Sequence, residues 1–185
     1  MALPGAWRVS PKVLVDSRGS FSEWFRLDQF ESATGFNFMV AQGNISRSNK
    51  GVVRGIHFAD VPPGQAKCVM PVSGRILDFV VDIRVGSPTF GKWDSTVLDS
   101  ANHDAVLVEP GLGHGFVSLE DNSSVCYLVS DVYRPDREHG INPADPAIGI
   151  VFPEGLEISY SEKDAAAPTL AEARDAGILP VWSSK

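Results

Sequence analysis

Proline and glycine punctuate this chain at short intervals, and the runs they leave between them are mostly of strand length. Those runs are rich in Val, Ile and Phe, which suit a pleated, half-buried surface. The clearest is Arg75 to Arg84: Leu77, Phe79, Val81 and Ile83 share one face, Asp78, Asp82 and Arg84 the other, and Val80 breaks the alternation. Similar runs occupy Val52–Phe58, Lys67–Val72, Ser95–Leu98, Ala105–Val108, Gly115–Leu119 and Val125–Val132. Turn signals separate them at Pro62-Pro63-Gly64, Gly86-Ser87-Pro88, Pro110-Gly111 and Asp121-Asn122. Many short strands at this spacing predict an all-β antiparallel sandwich or barrel. Helical signals are few. Leu27 to Thr34 allows two turns before Gly35, and Thr169 to Glu172 has the form of a capping box, with Gly177 as a stop.

A chain of 185 residues can build one domain with a substantial core, and this one shows neither internal repeat nor linker, so the expectation is a single domain over residues 1–185. No apolar run approaches the ~20 residues of a membrane-crossing helix. Met1 to Val9 lacks the basic patch and apolar stretch of a secretory signal. Cys68 and Cys126 sit in apolar, strand-like runs without a motif, which predicts buried thiols and a reducing cytoplasm. The net charge of −7 argues against a nucleic-acid partner. It still permits a small anionic ligand, because a few placed arginines outweigh the global field locally.

Several residues can carry chemistry, and each has a plain structural explanation as well. In Arg54-Gly55-Ile56-His57-Phe58, strict alternation puts Arg54 and His57 on opposite faces, whereas a bulge at Gly55 brings both to one side. A histidine satisfied inside a barrel core fits the same residues. Lys67 reads equally as a strand-end lysine reaching water. Tyr127 alternates with Val125 and Val129, which places it on an inner face, as a core aromatic or something more. Asp164 fits a turn carboxylate before a helix, and Arg18 a solvated turn residue. None of these is specific alone.

Six segments in register are more specific. DSRGSFSEWF (16–25), RGIHF (54–58), PPGQAK (62–67), GSPTFGKW (86–93), GLGHGF (111–116) and SEKDAAAP (161–168) resemble the dTDP-4-dehydrorhamnose 3,5-epimerases, over nearly the whole chain from Pro4 to Trp182. The resemblance implies a cupin-type antiparallel jelly roll with a few short peripheral helices. It also implies a homodimer whose N-terminal segments, about residues 1–25, are shared between subunits. The implied activity is epimerisation of dTDP-4-keto-6-deoxy-D-glucose at C3, C5 or both, in rhamnose-type or antibiotic deoxysugar biosynthesis. Carried over residue by residue, His57 is the catalytic histidine and Asp164 the carboxylate that hydrogen-bonds it. Lys67 lies near the sugar ketone and Tyr127 on the far face of the ring. Arg18, Phe21 and Glu23 reach a neighbouring subunit's nucleotide, Gln42, Asn44, Arg54 and His114 line the pocket, and Lys163 contacts the diphosphate.

Those residue types suit the reaction. A hydrogen beside a ketone is a weak acid, and its removal leaves charge on the C4 oxygen. A free imidazole titrates near ~6.5 and is poised to take such a proton, and a carboxylate behind it fixes the tautomer. An ammonium stabilises the enolate oxygen, and a phenol can return a proton to the opposite face. No redox cofactor is needed, and no dinucleotide fingerprint is present. A metal-dependent cupin is the rival reading, but it calls for two histidines spaced by one residue; here that position is Ala59, and His103, His114 and His139 lack the arrangement. A nucleotide-sugar-binding barrel without catalysis is the second rival, and it needs neither acid nor base. The chain departs from the family at Phe58-Ala59-Asp60, where many members have an aromatic followed by glutamine. Asp60 either points away from the pocket or tunes His57.

Overall fold

Both faces of the Arg75–Asp82 strand are buried, and that fact organises the molecule. The computed structural model describes residues 1–183, so the last two residues of the expected 1–185 span lie outside the described residues. In chain order the strands are β1 (Ala6–Val9), β2 (Leu14–Asp16), β3 (Gly19–Phe21), β4 (Gln42–Ser48), β5 (Val53–Ala59), β6 (Lys67–Ser73), β7 (Arg75–Asp82), β8 (Trp93–Asp99), β9 (Ala105–Val108), β10 (Leu112–Ser118), β11 (Ser123–Val129) and β12 (Glu138–Gly140). Three short helices accompany them: α1 (Leu27–Thr34), α2 (Glu162–Ala165) and α3 (Leu170–Asp175). The strands form two five-stranded antiparallel sheets, ordered β1-β9-β6-β11-β4 and β12-β5-β10-β7-β8, with β2 and β3 paired as a separate hairpin. This is the expected antiparallel jelly roll with a few short helices.

Between the sheets, Ile76 and Val80 of β7 meet Leu98, Val106, Phe116, Val125 and Val69. Val80 therefore obeys the alternation: it shares the inner face with Asp78. On the outer face, Leu77, Phe79 and Val81 pack under a C-terminal cover that includes Ile141, Ile148, Leu170 and Leu179. The outer face of the other sheet is covered in turn by Phe30 and Phe38, which pack on Cys68, Met70 and Leu107. The polar end of β7 is closed by a buried cluster. Arg84 donates twice to Asp82, at 2.8 Å each, Ser87 and Thr89 add their hydroxyls, and Arg84 also lies 4.3 Å over the Trp182 ring. The GSPTFGKW segment is thus spent on architecture.

Helix signals read from sequence coincide with observed elements. Gly35 ends α1 with φ 69° and donates its N–H to Glu31 O, and Thr169 and Glu172 form the reciprocal capping box of α3. β11 stops at Val129 instead of Val132, because Ser130 exchanges hydrogen bonds with Ala66. Cys68 and Cys126 are free thiols on adjacent strands, where Leu128 pairs with Cys68 and Met70 with Cys126. Burial pushes the Cys68 thiol up to about 12. No helix among the described residues is long and apolar enough to cross a membrane.

Candidate active site

His57 reaches the space between the sheets because β5 is irregular. His114 of β10 pairs with His57 while Phe116 pairs with Arg54, so the register slips between them. Gly55 makes the slip possible: its φ is +131°, and a Cβ there would lie 2.6 Å from Gly115 Cα and 2.8 Å from His114 O. Only two glycines back to back allow that approach. Arg54 and His57 then line the same cavity, as the bulge at Gly55 predicts.

Asp164 arrives from far along the chain. Val53 N–H donates to Ser159 O, which lays the 159–161 segment beside β5, and Ser161 caps α2 by accepting from Asp164 N–H at 3.0 Å. His57 Nε2 and Asp164 Oδ1 then stand 2.7 Å apart. Burial raises the Asp164 carboxyl, but the hydrogen bond and charge of His57, with smaller help from the Ser161 hydroxyl and the Gly55 backbone, outweigh it and hold the group below the usual carboxylate range. An ionised Asp164 assigns the proton to Nε2 and leaves Nδ1 as the basic nitrogen.

Two connected spaces meet at this pair. The outer one, about 470 Å³, includes Arg54, His57, Tyr127, Tyr133, Glu138 and Lys163 in its wall. The inner one, about 120 Å³, includes Ser46, Lys67, His114, Phe116 and again Arg54, His57 and Tyr127. Lys67 keeps part of its surface open to this space, yet burial pulls its ammonium below the ordinary value, with Glu138 opposing. Burial pushes the Tyr127 phenol up, against the nearby Arg54 charge. A proton is therefore easier to remove from Lys67, and harder to remove from Tyr127, than in water. Opposite His57 lies a second pair: His114 Nε2 is 2.8 Å from Asp78 Oδ2, deep between the sheets. Burial raises the Asp78 carboxyl despite His114.

Most sequence-predicted residues converge here. His57, Asp164, Lys67, Tyr127, Arg54, His114 and Lys163 all line one or both spaces. Gln42 and Asn44 lie on β4 and line neither space in the single chain; Gln42 Nε2 donates to Asn44 Oδ1 at 2.7 Å, and Gln42 Oε1 accepts from Tyr133 N–H. Arg18, Phe21 and Glu23 line neither space. They belong to the β2–β3 hairpin and its flank, where Phe21 and Glu23 line a separate groove of about 470 Å³ together with Trp7, Trp24 and Phe30. That groove offers no acid–base set. Asp60 lines neither space; it accepts from His139 Nε2 at 2.6 Å and lies 4.0 Å from Arg137, so its charge is engaged by those two residues. Asp78, Glu138 and Ser46 are site residues that sequence reasoning missed. For Asp78 the signal was an acid inside an apolar strand; Glu138 and Ser46 gave none. Among the described residues, no group of three His, Cys, Asp or Glu side chains is placed to hold a metal ion.

Comparison with known proteins gives one answer throughout. Residues 1–172 match the family model described as dTDP-4-dehydrorhamnose 3,5-epimerase. A dTDP-4-dehydrorhamnose 3,5-epimerase of Mycolicibacterium smegmatis is 49% identical over 183 residues, covering 99% of this chain and 90% of the relative. Among solved structures, the rmlC epimerase of Mycobacterium tuberculosis superposes with a TM-score of 0.96 at 48% identity, covering 98% of this chain and 92% of that one. ChmJ of Streptomyces bikiniensis, a 3′-monoepimerase in complex with dTDP-quinovose, superposes with a TM-score of 0.94 at 46% identity, covering 98% and 91%.

Proposed function

This chain belongs to the dTDP-4-dehydrorhamnose 3,5-epimerase family, and on that premise we propose that it epimerises dTDP-4-keto-6-deoxy-D-glucose by proton transfer across the two faces of the sugar. The observation that carries the reading is the His57–Asp164 pair at 2.7 Å, whose histidine lines one cavity with Lys67 and Tyr127. His57 removes the proton beside the ketone. Asp164, held ionised, fixes the imidazole and stabilises the imidazolium that forms. The electron pair of the broken C–H bond moves to the C4 oxygen, where Lys67 supports the enolate charge. Tyr127, kept protonated by burial, returns a proton to the opposite face and inverts the carbon. Arg54 and Lys163 in the outer wall suit the diphosphate.

The working unit is a homodimer of single-domain subunits in the cytoplasm. The β2–β3 hairpin supports this: Leu14 is 51%, Val15 77% and Phe21 63% exposed in the single chain, an apolar surface that asks for cover. Arg18, Phe21 and Glu23 then complete the nucleotide site of the neighbouring subunit. Deleting residues 1–25 should abolish dTDP binding, and normal binding by the truncated protein would refute the crossover.

The reaction is tested by mixing the protein with dTDP-4-keto-6-deoxyglucose in deuterated water and locating the label by NMR. Deuterium at C3, C5 or both, with inverted product, is the expected result. Both 3,5-epimerases and a 3′-monoepimerase resemble this chain closely, so the labelled position sorts it between them. Bound substrate that gains no label would leave a binding protein, not an enzyme.

A further inference from the structure

Among the described residues, two buried side-chain atoms lack a hydrogen-bond partner: Ser46 Oγ and Asp78 Oδ1. Ser46 lines the inner compartment directly, and Asp78 backs His114, which lines it too. Buried polar atoms are nearly always paired, so an orphan in a residue that lines a small cavity needs an explanation. The inner face of β4 sharpens the point. Gln42, Asn44, Ser46 and Ser48 alternate along it; Gln42 bonds Asn44 and Tyr133, and Ser48 accepts from Arg54 Nε at 3.0 Å. Only Ser46 in that row is unused by the protein.

We propose that the Ser46 hydroxyl is a further substrate-binding group, hydrogen-bonding an oxygen substituent of the sugar ring inside the inner compartment. The inference rests on the epimerase reading above. The Ser46 oxygen is shielded from solvent while the residue as a whole is half-buried. A turn about χ1 from one staggered well to another presents the hydroxyl to the cavity, and it breaks no protein hydrogen bond. The compartment's other polar walls, Lys67, His114 and Tyr127, suit the oxygen-rich end of the ligand, and the nucleotide belongs to the outer space.

The test compares Ser46→Ala with wild type in three measurements: thermal midpoint, dTDP affinity, and kcat/KM for the dTDP-4-keto sugar. Removing an unpaired hydroxyl should leave the midpoint unchanged or slightly raised, and dTDP affinity unchanged. A lost neutral hydrogen bond to the sugar should lower kcat/KM about 3- to 10-fold. Wild-type kcat/KM in the variant would overturn the proposal, leaving the hydroxyl to a water alone. A lower midpoint with equal losses for dTDP and sugar nucleotide would overturn it too, because Ser46 would then be structural. If wild type itself fails to turn the sugar over, the epimerase reading falls and this inference with it.

Discussion

His57 and His114 are paired residues on neighbouring strands, each with Nε2 on a carboxylate, yet the two carboxylates are held in opposite ways. Asp164 sits in a short helix, where His57 is hydrogen-bonded to it and the Ser161 hydroxyl and Gly55 backbone also favour its charge, and its carboxyl is driven below the usual range. Asp78 is fully buried in mid-strand, has His114 as its partner, keeps one oxygen unpaired, and is driven upward. The difference teaches that donors decide what such a pair can do. A carboxylate rich in donors stays charged and can stabilise an imidazolium during turnover. A carboxylate poor in donors and deep in the protein is suited to orienting an imidazole, less to supporting a cation. One pair suits the proton transfer proposed above, the other suits holding.

The largest expected effect follows from that contrast. His57→Ala should lose about 10²- to 10⁴-fold in rate, the usual contribution of a positioned base. His114→Ala, which removes a binding contact, should lose roughly 3- to 10-fold. Steady-state kinetics on both variants checks this, and equal losses would erase the assigned division of labour. Asp164→Asn should cost no more than His57→Ala, because it orients the base and does not itself receive the proton.

Next in size is the separation of exchange from inversion. Tyr127→Phe removes the proposed proton donor and leaves His57, Asp164 and Lys67 in place. It should therefore still wash solvent deuterium into C3, C5 or both, with retained configuration, while inverted product falls much further. NMR on one sample reads both. If exchange and inversion both stay near wild-type rates, Tyr127 is a core aromatic beside Val125 and Val129 and nothing more.

These two pairs were not equally legible. The Gly55 bulge could be read locally, because glycine inside a strand pattern marks a close backbone approach. The partner of His57 lies 107 residues away, and only the resemblance of SEKDAAAP brought it in. Asp78 stood out as an acid in an apolar strand, but its pairing with His114 depends on the β7–β10 register, which no local pattern fixes. β4 was missed for a physical reason: its more buried face is polar, so Gln42, Asn44, Ser46 and Ser48 replace the apolar alternation that identifies a strand. β12 is a three-residue edge strand, too short for any period, and Glu138 was lost with it. The β2–β3 hairpin has no core of its own within the chain, so its apolar residues showed no pattern that burial could explain.

The smallest effect, in stability, has opposite signs for the two carboxylates. The folded protein holds Asp164 below its unfolded pKa, so between the two values the unfolded state binds more protons. That contribution is complete above the ordinary carboxylate value of ~3.9 and is lost as pH falls through the lowered one. Asp78 is raised, so the folded state binds more protons than the unfolded one, and stability falls as pH climbs from the ordinary value through the raised one. Asparagine keeps the shape of each side chain and removes its titration. At neutral pH, Asp164→Asn should therefore lower the thermal midpoint, and the deficit should shrink on acidification. Asp78→Asn should leave the neutral midpoint equal or raised, provided the amide oxygen still accepts from His114, and this gain should fade as the pH drops. Melting curves from neutral pH to well below the ordinary carboxylate value of ~3.9 follow both, the Asp78 change coming above that value and the Asp164 change below it. Two variants that shift the midpoint in the same direction at neutral pH would show that donors and burial do not divide the pairs in the way their surroundings indicate.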